Sequence, residues 1–345
     1  MNSAASSASV PDWLYAVLGQ DPVTDNAPVD IGGARFSVAD GILREQRIAS
    51  RSQAQTAGAF GFKWEQRETF ESEASLRRMR EWLVERYGDI ASAAWWREYP
   101  QHPIVLDAGC GAAMSALELF GDRLAAVNYL GVEISEAIDV AAKRFAERGL
   151  TAAFMQADIT RLPLPEACVD VIFSEGVLHH TDSTRGALLA LAPLLKPGGR
   201  FLFYVYRRKG PIREFTDDYI RRQLQEMTPA AAWEALKPLS RLGEVLGQMA
   251  IELDVPEDIP LLEIPAGPID LQRFFYWHIV KAFYRPDSTF DEMHHINYDW
   301  YAPANAHRQS PDEVEAWCAE AHLEIEHENV QDSGITIVAR RRPPI

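Results

Sequence analysis

The chain has 345 residues, of which 47% are hydrophobic and 24% are charged, and its formal net charge is −16. This composition predicts a soluble globular protein with one large domain, or one domain with additions. The acidic balance argues against a nucleic-acid partner, because surfaces that bind nucleic acid are usually basic. No apolar run reaches the ~18 residues of a membrane-spanning helix, so no membrane span is predicted.

The spacing of the three cysteines and the composition of the first nine residues indicate the cellular compartment. Cys110, Cys168 and Cys318 lie far apart and form no C-x-x-C pair. This spacing argues against a zinc site and fits a reducing compartment, so the predicted location is cytoplasmic. The first nine residues are small and polar, and we expect a tail there rather than a signal peptide.

Residues 1–100 are predicted to form an extension that precedes the main domain. Apolar spacing indicates helices at Trp13–Leu18 and Glu73–Tyr87, and Arg35–Leu43 is typical of a short strand and turn. Between them, Gln53–Phe70 is an aromatic stretch interrupted by glycines. Its aromatic residues, Trp64 among them, either pack against the main domain or close over a bound ligand as a lid.

The pattern that organises the chain lies in residues 104–120. The apolar run Ile104–Leu106 ends in Asp107, and Gly109, Gly111 and a helix-like stretch follow. This order predicts a buried strand, a tight glycine turn and a helix start, where backbone N–H groups approach a ligand closely. Nicotinamide-binding turns usually have no acid two residues before the first glycine. A carboxylate at Asp107 repels a pyrophosphate but suits a ligand with an ammonium group.

Strands and helices alternate from residue 104 to residue 206, which predicts a parallel sheet covered on both faces. The predicted strands are Ile104–Leu106, Ala126–Glu133, Ala152–Gln156, Val169–Phe173 and Arg200–Tyr206, and the predicted helices are Glu136–Arg148 and Thr184–Leu195. Ligands of such sheets bind at the carboxyl ends of the strands. Chemically active residues are therefore expected at those ends.

Four strands end in acids: Asp107, Glu133, Asp158 and Glu175. Glu133 stands 22 residues after Gly111, a distance at which an acid can accept both hydroxyls of a ribose. A carboxylate at Asp158, next to a backbone N–H, can take the exocyclic amine of an adenine. Any one of these acids could instead be a helix cap or a surface residue. Four acids at the ends of successive strands favour a binding site.

These residues carry a family resemblance. The segments VLDAGCGAA, GVEIS, QADITRLP, VDVIFSEGVLHH and LKPGGRFLFY, in this order, resemble the class I S-adenosylmethionine-dependent methyltransferases over residues 104–206 and 310–341. The resemblance implies an α/β fold with a Rossmann-like, doubly wound, seven-stranded sheet. It also implies an antiparallel C-terminal hairpin, here Leu323–Val330 with Gly334–Arg341. The VLHHTDS and LKPGG segments are similar to the ubiquinone/menaquinone C-methyltransferase-like group, whose members methylate O, N, C or S.

The resemblance implies S-adenosyl-L-methionine as the cofactor. By this resemblance the glycine turn with Asp107, Gly109 and Gly111 holds the methionine part, Glu133 the ribose and Asp158 the adenine. The neighbouring residues expected to complete the cofactor site are Cys110, Ile134, Ile159, Ser174 and, from the lid, Trp64. One segment, RFSVADGILRE, is similar to the end of a zinc ribbon that precedes some bacterial methyltransferase domains. The zinc-binding cysteines are missing from it, so no metal is predicted.

Residues 207–309 are too many for a connection between two core elements, since loops usually run ~4–6 residues. Helical spacing predicts helices at Ile212–Met227, Ala230–Leu236, Leu239–Leu253 and Asp270–Tyr284. The last of these is aromatic nearly all round, which indicates that it is buried or lines a cavity. We expect a helical cap over the acceptor, with an aromatic-walled pocket. The alternative for this surface is a homodimer interface.

The predicted function is methyl transfer to a small organic acceptor that is partly apolar or aromatic. Position at the end of the fourth strand makes Glu175 the first candidate for the catalytic base and His179 the second. The candidates for acceptor binding are Tyr206, Phe274, Trp277, His278, His295 and Tyr298. A nicotinamide oxidoreductase and a non-catalytic cofactor-binding protein remain as alternatives. Neither the acceptor nor the methylated atom follows from the sequence.

These expectations divide the chain into three parts. Residues 1–100 are the extension or lid, residues 101–206 and 310–345 are the cofactor-binding core, and residues 207–309 are the cap. The expected partner is a small-molecule substrate.

Overall fold

The computed structural model describes residues 9–23, 27–46, 50–65 and 72–343. Its strands are β1 Pro28–Ile31, β2 Ala34–Ala39, β3 Ile42–Glu45, β4 Ile104–Ala108, β5 Asn128–Glu133, β6 Ala152–Gln156, β7 Val169–Glu175, β8 Leu195–Tyr206, β9 Glu252–Val255, β10 Gly267–Asp270, β11 Leu323–Val330 and β12 Gly334–Arg341. Its α-helices are α1 Asp12–Leu18, α2 Arg51–Glu65, α3 Glu73–Tyr87, α4 Met114–Phe120, α5 Ala137–Glu147, α6 Thr184–Leu191, α7 Pro211–Leu224, α8 Pro229–Gln248, α9 Leu271–Phe274, α10 Phe290–Tyr301 and α11 Pro311–Glu320.

One mixed sheet crosses the molecule. Within the described residues it has ten strands, in the order β1-β2-β3-β6-β5-β4-β7-β8-β12-β11. The strands from β3 to β8 in this order run parallel to their neighbours, whereas β12 and β11 form the antiparallel hairpin. The predicted doubly wound sheet and its C-terminal hairpin are confirmed. Alternate residues of β4, such as Val105 and Leu106, enter the apolar cores on opposite faces of the sheet.

The sheet has three strands more than the seven that were expected. The additional strands β1, β2 and β3 come from the N-terminal extension, and β3 pairs in parallel with β6. Their apolar residues, including Phe36 and Leu43, are fully buried in the core of the main domain. This part of the extension is therefore structural, because it covers the edge of β6 that would otherwise expose unpaired backbone groups.

The aromatic stretch of the extension is helical. The helix α2 contains Phe60, Phe62 and Trp64 and packs against α5, α8 and α10. The sequence suggested an interrupted stretch up to Phe70, but the part beyond Glu65 lies outside the described residues. Tertiary contacts stabilise a helix whose glycines lower its intrinsic propensity.

The cap differs from its predicted secondary structure in three places. The two predicted helices around Pro238 form the single helix α8, and β9 pairs with β10 in an unpredicted hairpin. The predicted helix Asp270–Tyr284 is wrong beyond residue 279, because α9 continues into a π-helical turn, Phe275–Ile279, and then into extended chain. Side chains of α10 hold this extended segment. The Tyr301 hydroxyl accepts from the Lys281 N–H, and Asn297 Oδ1 accepts from the Phe283 N–H.

Among the described residues, no helix is both long enough and apolar enough to cross a membrane.

Candidate functional site

A cavity of about 770 Å³ lies where the carboxyl ends of β4, β5, β6 and β7 meet α2 and the cap. Its first end, which we call the strand end, is lined by Asp107, Gly109, Cys110, Gly111, Glu133, Ile134, Asp158 and Ile159. Its second end, the cap end, is lined by Tyr206, Lys209, Arg213, Tyr276, Trp277, Lys281, Phe283, His295, Asp299 and Trp300. Nearly all the predicted cofactor residues therefore face one cavity, although they come from three strand ends and the helix α2.

The glycine turn is held in a conformation that only glycine adopts without strain. Gly109 has φ +84°, and a Cβ on it would lie 2.2 Å from Cγ1 of Val177. The N–H groups of Gly109 and Cys110 both donate to the Val132 carbonyl, at 2.8 Å. Gly111 has φ +51° and lies against the indole of Trp64, which comes from α2. Each glycine therefore keeps the backbone close to what it faces.

Two carboxylates flank this turn. Glu133 accepts hydrogen bonds from the N–H groups of Gly111, at 3.1 Å, and Ser135, at 2.9 Å, so its orientation is fixed. Asp107 is buried and accepts from the Tyr129 hydroxyl at 2.6 Å. Burial raises the pKa of Asp107 to about 7, the Tyr129 hydrogen bond lowers it, and the charges of Glu133 and Glu175 raise it further. A cationic group placed beside Asp107 would therefore be stabilised by the ionised carboxylate.

The third predicted acid, Asp158, caps a short 3₁₀ turn. Its carboxylate accepts from the Thr160 N–H at 2.9 Å, from the Thr160 hydroxyl at 2.7 Å and from Arg161 at 2.7 Å. The backbone around it still lines the cavity together with Ile134 and Ile159. Cys110 lines the same end, and burial raises its thiol pKa well above the ordinary value. The thiol is therefore neutral and offers apolar surface.

The helix α2 closes one side of the cavity. Trp64 and Lys63 both line it, and the Lys63 ammonium lies 4.0 Å from the centroid of the Trp64 ring. Lys63 also forms an ion pair with Asp299 of α10. Burial opposes ionisation of Asp299, but Lys63 outweighs it, and the pKa of this carboxyl falls below its usual range. The pair joins α2 to the cap across the cavity.

Two of the residues predicted for cofactor binding or catalysis do not reach the cavity. Ser174 is fully buried and donates to the Ala108 carbonyl at 2.8 Å, so its hydroxyl ties β7 to β4. His179 is also fully buried, and neither of its ring nitrogens has a hydrogen-bond partner within the described part of the chain. Its ring centroid lies 3.7 Å from that of Tyr206, and burial lowers its pKa well below the ordinary value. The next residue, His180, lines the cavity instead, although its ring centroid lies 4.2 Å from that of His179.

Glu175 lines the cavity, but both of its oxygens are engaged. Oε1 pairs with the Arg86 guanidinium at 2.5 Å, and Oε2 accepts from the Tyr87 hydroxyl at 2.6 Å. Arg86 is only 1% exposed and lies between the rings of Trp82 and Tyr204. This geometry argues against the expected role of Glu175 as the base, because one of its oxygens pairs with a buried arginine and the other accepts from the Tyr87 hydroxyl.

The predicted acceptor residues divide into two groups. Tyr206, Trp277 and His295 line the cavity, and burial lowers the pKa of His295 to about 3. The expectation fails for the other three, which do not line the cavity: Phe274, His278 and Tyr298. Phe274 and His278 contact each other, at a centroid distance of 5.5 Å. Because this segment is not a regular helix, its side chains leave the predicted helical face.

Sequence reasoning missed the charged residues of the cap end. Lys209, Arg213, Lys281 and Asp299 all line the cavity there. They come from four separate segments, and nothing in their local sequence marks them as neighbours. Among the described residues, no cluster of three metal-ligating side chains is present.

Comparison with known proteins gives a match for the strand end. Residues 106–203 match the family model described as "Methyltransferase domain". An uncharacterized methyltransferase of Mycobacterium bovis is 36% identical over 95 residues, which are 28% of this chain and 46% of that protein. A tRNA U34 carboxymethyltransferase of Hydrogenovibrio crunogenus is 31% identical over 109 residues, 28% of this chain and 30% of that protein. The chain thus spans less than half the length of these curated relatives.

Among solved structures, the chain is similar to a 1,6-didemethyltoxoflavin-N1-methyltransferase of Burkholderia thailandensis with bound 1,6-didemethyltoxoflavin and S-adenosylhomocysteine. The identity is 15% and the TM-score 0.43, over 90% of this chain and 96% of that chain. The family match falls on the strands whose ends line the cavity. Residues 106–203 are therefore a class I S-adenosylmethionine-dependent methyltransferase domain.

Proposed function

We propose that the whole chain is an enzyme that transfers the methyl group of S-adenosylmethionine to a small organic acceptor with apolar or aromatic surface. The observation that carries the proposal is the single cavity that joins the strand end to the aromatic cap end. A cofactor at one end and an acceptor at the other would meet inside a site that the cap shields from water.

The residues at the strand end fit this cofactor. Gly109 keeps the turn at a positive φ, where a Cβ would clash with Val177, and the buried carboxylate of Asp107 gains a partner when an ammonium group lies beside it. We propose that Glu133 holds the ribose, that the turn at Asp158 and Ile159 holds the adenine, and that Trp64 covers the methionine part. The cofactor supplies both the methyl group and the leaving group, so the chain has to position the acceptor.

The parts of the chain divide this work. We propose that residues 101–206 and 310–345 hold the cofactor and that residues 207–309 cover the acceptor. Within residues 1–100, α2 closes the cavity, while β1 to β3 complete the sheet. Glu175 acts as a positioning residue, since it orients Arg86 and Tyr87. An acceptor that arrives already deprotonated needs no base from the protein.

The domain match favours methyl transfer over the oxidoreductase and the non-catalytic alternative. The VLHHTDS and LKPGG segments support a finer proposal, which places the chain near the ubiquinone/menaquinone C-methyltransferase-like group.

The test is incubation of the protein with S-adenosylmethionine that carries an isotopically labelled methyl group, together with cell extract. Mass spectrometry should find one or a few labelled small molecules that depend on the protein. S-adenosylhomocysteine binding is measured in parallel by calorimetry. Binding without any labelled product would contradict methyl transfer, and absence of binding would contradict the cofactor site.

A matched pair of variants makes this test specific. Glu133→Ala should weaken S-adenosylhomocysteine binding at least ~10-fold, since hydrogen bonds to a charged group contribute about 1.5–3 kcal/mol. Glu136→Ala removes an exposed acid from the same loop and should leave the affinity unchanged. Equal affinities for the two variants would remove Glu133 from the ribose site.

A further inference from the structure

Three cationic side chains surround one indole at the cap end of the cavity. From the centroid of the Trp300 ring, Lys281 Nζ lies at 4.5 Å, Arg213 Cζ at 5.7 Å and Lys209 Nζ at 5.9 Å. Arg213 belongs to α7, Lys281 to the extended segment after the π-helical turn, and Lys209 to the loop after β8. The fold therefore brings three positive groups together from three segments. We call Lys209, Arg213 and Lys281 the cation cluster.

The acids near the cluster are already engaged. Asp217 accepts from Arg213 at 2.9 Å, from Trp300 Nε1 at 2.9 Å and from the Tyr301 hydroxyl at 2.8 Å. The other acid that faces Lys281, Asp299, pairs with Lys63. Of the three cations, Asp217 pairs directly with Arg213 alone, so positive charge is left uncompensated at this wall of the cavity.

Two members of the cluster have donors left over. Lys281 is 7% exposed, and its Nζ has no hydrogen-bond or ion-pair partner among the residues that the structure describes. Arg213 is 1% exposed, and its buried Nη1 has no partner in the same described set. Within the described residues, Lys209 Nζ donates to backbone carbonyls, among them those of Arg207 at 2.9 Å and Ser333 at 3.2 Å. A buried lysine without an anion and a buried guanidinium N–H without an acceptor are both costly, which indicates that a ligand supplies the missing partner.

The protonation behaviour of the lysines agrees with this geometry. Burial lowers the pKa of Lys281 to about 7, Arg213 and Lys63 lower it further, and Asp299 and Asp217 raise it. Burial also lowers the pKa of Lys209 to about 7, with Arg213 and Lys281 adding to the effect and Glu214 and Asp217 opposing it. An anion between these groups would favour their charged forms.

We propose that the acceptor carries an anionic oxygen group, a carboxylate or a phosphate, and that the cation cluster binds it while the aromatic cap wall holds its apolar part. Tyr276, Trp277 and Phe283 supply that wall beside the cluster. The proposal rests on the proposed function, because it names the acceptor class of the same cavity. It would also place the anion away from the strand end, where Asp107 and Glu133 would repel it.

The test uses pairs of probes that differ in charge. Protein saturated with S-adenosylhomocysteine is titrated with benzoate, phenyl phosphate and the neutral benzamide by calorimetry, in a low-salt buffer at pH 6.5. We expect benzoate or phenyl phosphate to bind at least ~10-fold more tightly than benzamide. The stronger of the two anions identifies the preferred group. Benzamide binding as tightly as both anions would overturn the proposal.

Lysine variants locate the anion. Lys281→Met should lower the affinity for the preferred anion at least ~10-fold. The substitution keeps a side chain of similar length but removes the ammonium group that forms a charge-assisted hydrogen bond with the anion. Lys281→Arg should retain most of the affinity. Lys143→Met, at an exposed position of α5 far from the cavity, is the control and should bind like the wild type. An unchanged anion affinity in Lys281→Met would refute the assignment.

The cofactor has a carboxylate of its own, and the design separates it from the acceptor. Lys281→Met should bind S-adenosylhomocysteine as tightly as the wild type does. A loss of that affinity would mean that the cluster serves the cofactor, and the proposal would be wrong. If the wild type binds no S-adenosylhomocysteine, the proposed function fails, but the comparison of benzoate with benzamide still tests the cluster.

Discussion

The ion pair between Arg86 and Glu175 should be a major source of stability, and Glu175→Ala tests this. The Arg86 side chain is 1% exposed, and the Glu175 side chain is 8% exposed. The guanidinium lies 3.5 Å from the Trp82 ring centroid and 4.2 Å from that of Tyr204, so it has little access to water. An arginine cannot relieve such a position by losing its proton, unlike a lysine.

The magnitude follows from the burial of both partners. Removal of one partner of a buried ion pair leaves an uncompensated charge and costs about 3–5 kcal/mol of unfolding free energy. Glu175→Gln keeps the shape and one acceptor, and it should cost less, about 1–3 kcal/mol. Both variants also release the Tyr87 hydroxyl from a 2.6 Å hydrogen bond or weaken that bond.

Urea unfolding followed by circular dichroism measures these differences directly, provided that the slope of free energy against urea stays constant. Glu320→Ala is the control, because Glu320 pairs with Arg185 at the surface, where the two side chains are 43% and 51% exposed. Such exposed pairs contribute about 0–1 kcal/mol. If Glu175→Ala unfolds within about 1 kcal/mol of the control, the pair is not structural, and a catalytic role for Glu175 regains support.

Four further outcomes are expected. Trp64→Ala should weaken S-adenosylhomocysteine binding ~10-fold by calorimetry, because the indole covers the glycine turn. The control Trp13→Ala should leave the affinity unchanged. Equal affinities for the two variants would refute the role of α2 as a lid. Because the pKa of Asp107 is about 7, the same affinity should rise roughly 10-fold from pH 6 to pH 8, as the carboxylate ionises beside the ligand's ammonium group; a flat profile would contradict this. Without ligand, the raised pKa means that the folded state binds the extra proton, so Asp107 makes the protein less stable as the pH rises from about 4 to about 7. Asp299→Asn should increase amide hydrogen exchange in α2, because the ion pair of Lys63 with Asp299 joins α2 to α10, and it should leave the exchange in α5 unchanged. Unchanged exchange in α2 would show that this ion pair does not stabilise the helix.

The sequence predicts the central sheet and the strand end of the cavity because both depend on local pattern. Apolar runs that alternate with helical spacing form parallel strands, and parallel strands bring their carboxyl ends to one edge. Asp107, Glu133 and Asp158 could therefore be placed together from their positions alone. The glycine turn was also readable, since positive φ at Gly109 and Gly111 leaves a clear mark in the sequence.

Other features had weak or misleading local signals. The strands β1 to β3 are short. Only the pairing of β3 with β6 shows that all three belong to the main sheet. The segment from 275 to 284 has helical spacing, yet side chains of α10 hold its second half extended. Of the adjacent His179 and His180, the second lines the cavity and the first does not, and the sequence does not show which of the two rings reaches it.

The sequence by itself determined the class of the domain and the residues at the strand ends, because these follow from short-range order along the chain. Only the tertiary structure decided which charges meet. Glu175 faces Arg86, 89 positions away, and Lys281 joins Arg213 across 68 positions to surround Trp300. Such encounters depend on how the cap and the extension pack against the sheet, and electrostatic energy depends on distance and burial rather than on neighbours in the sequence.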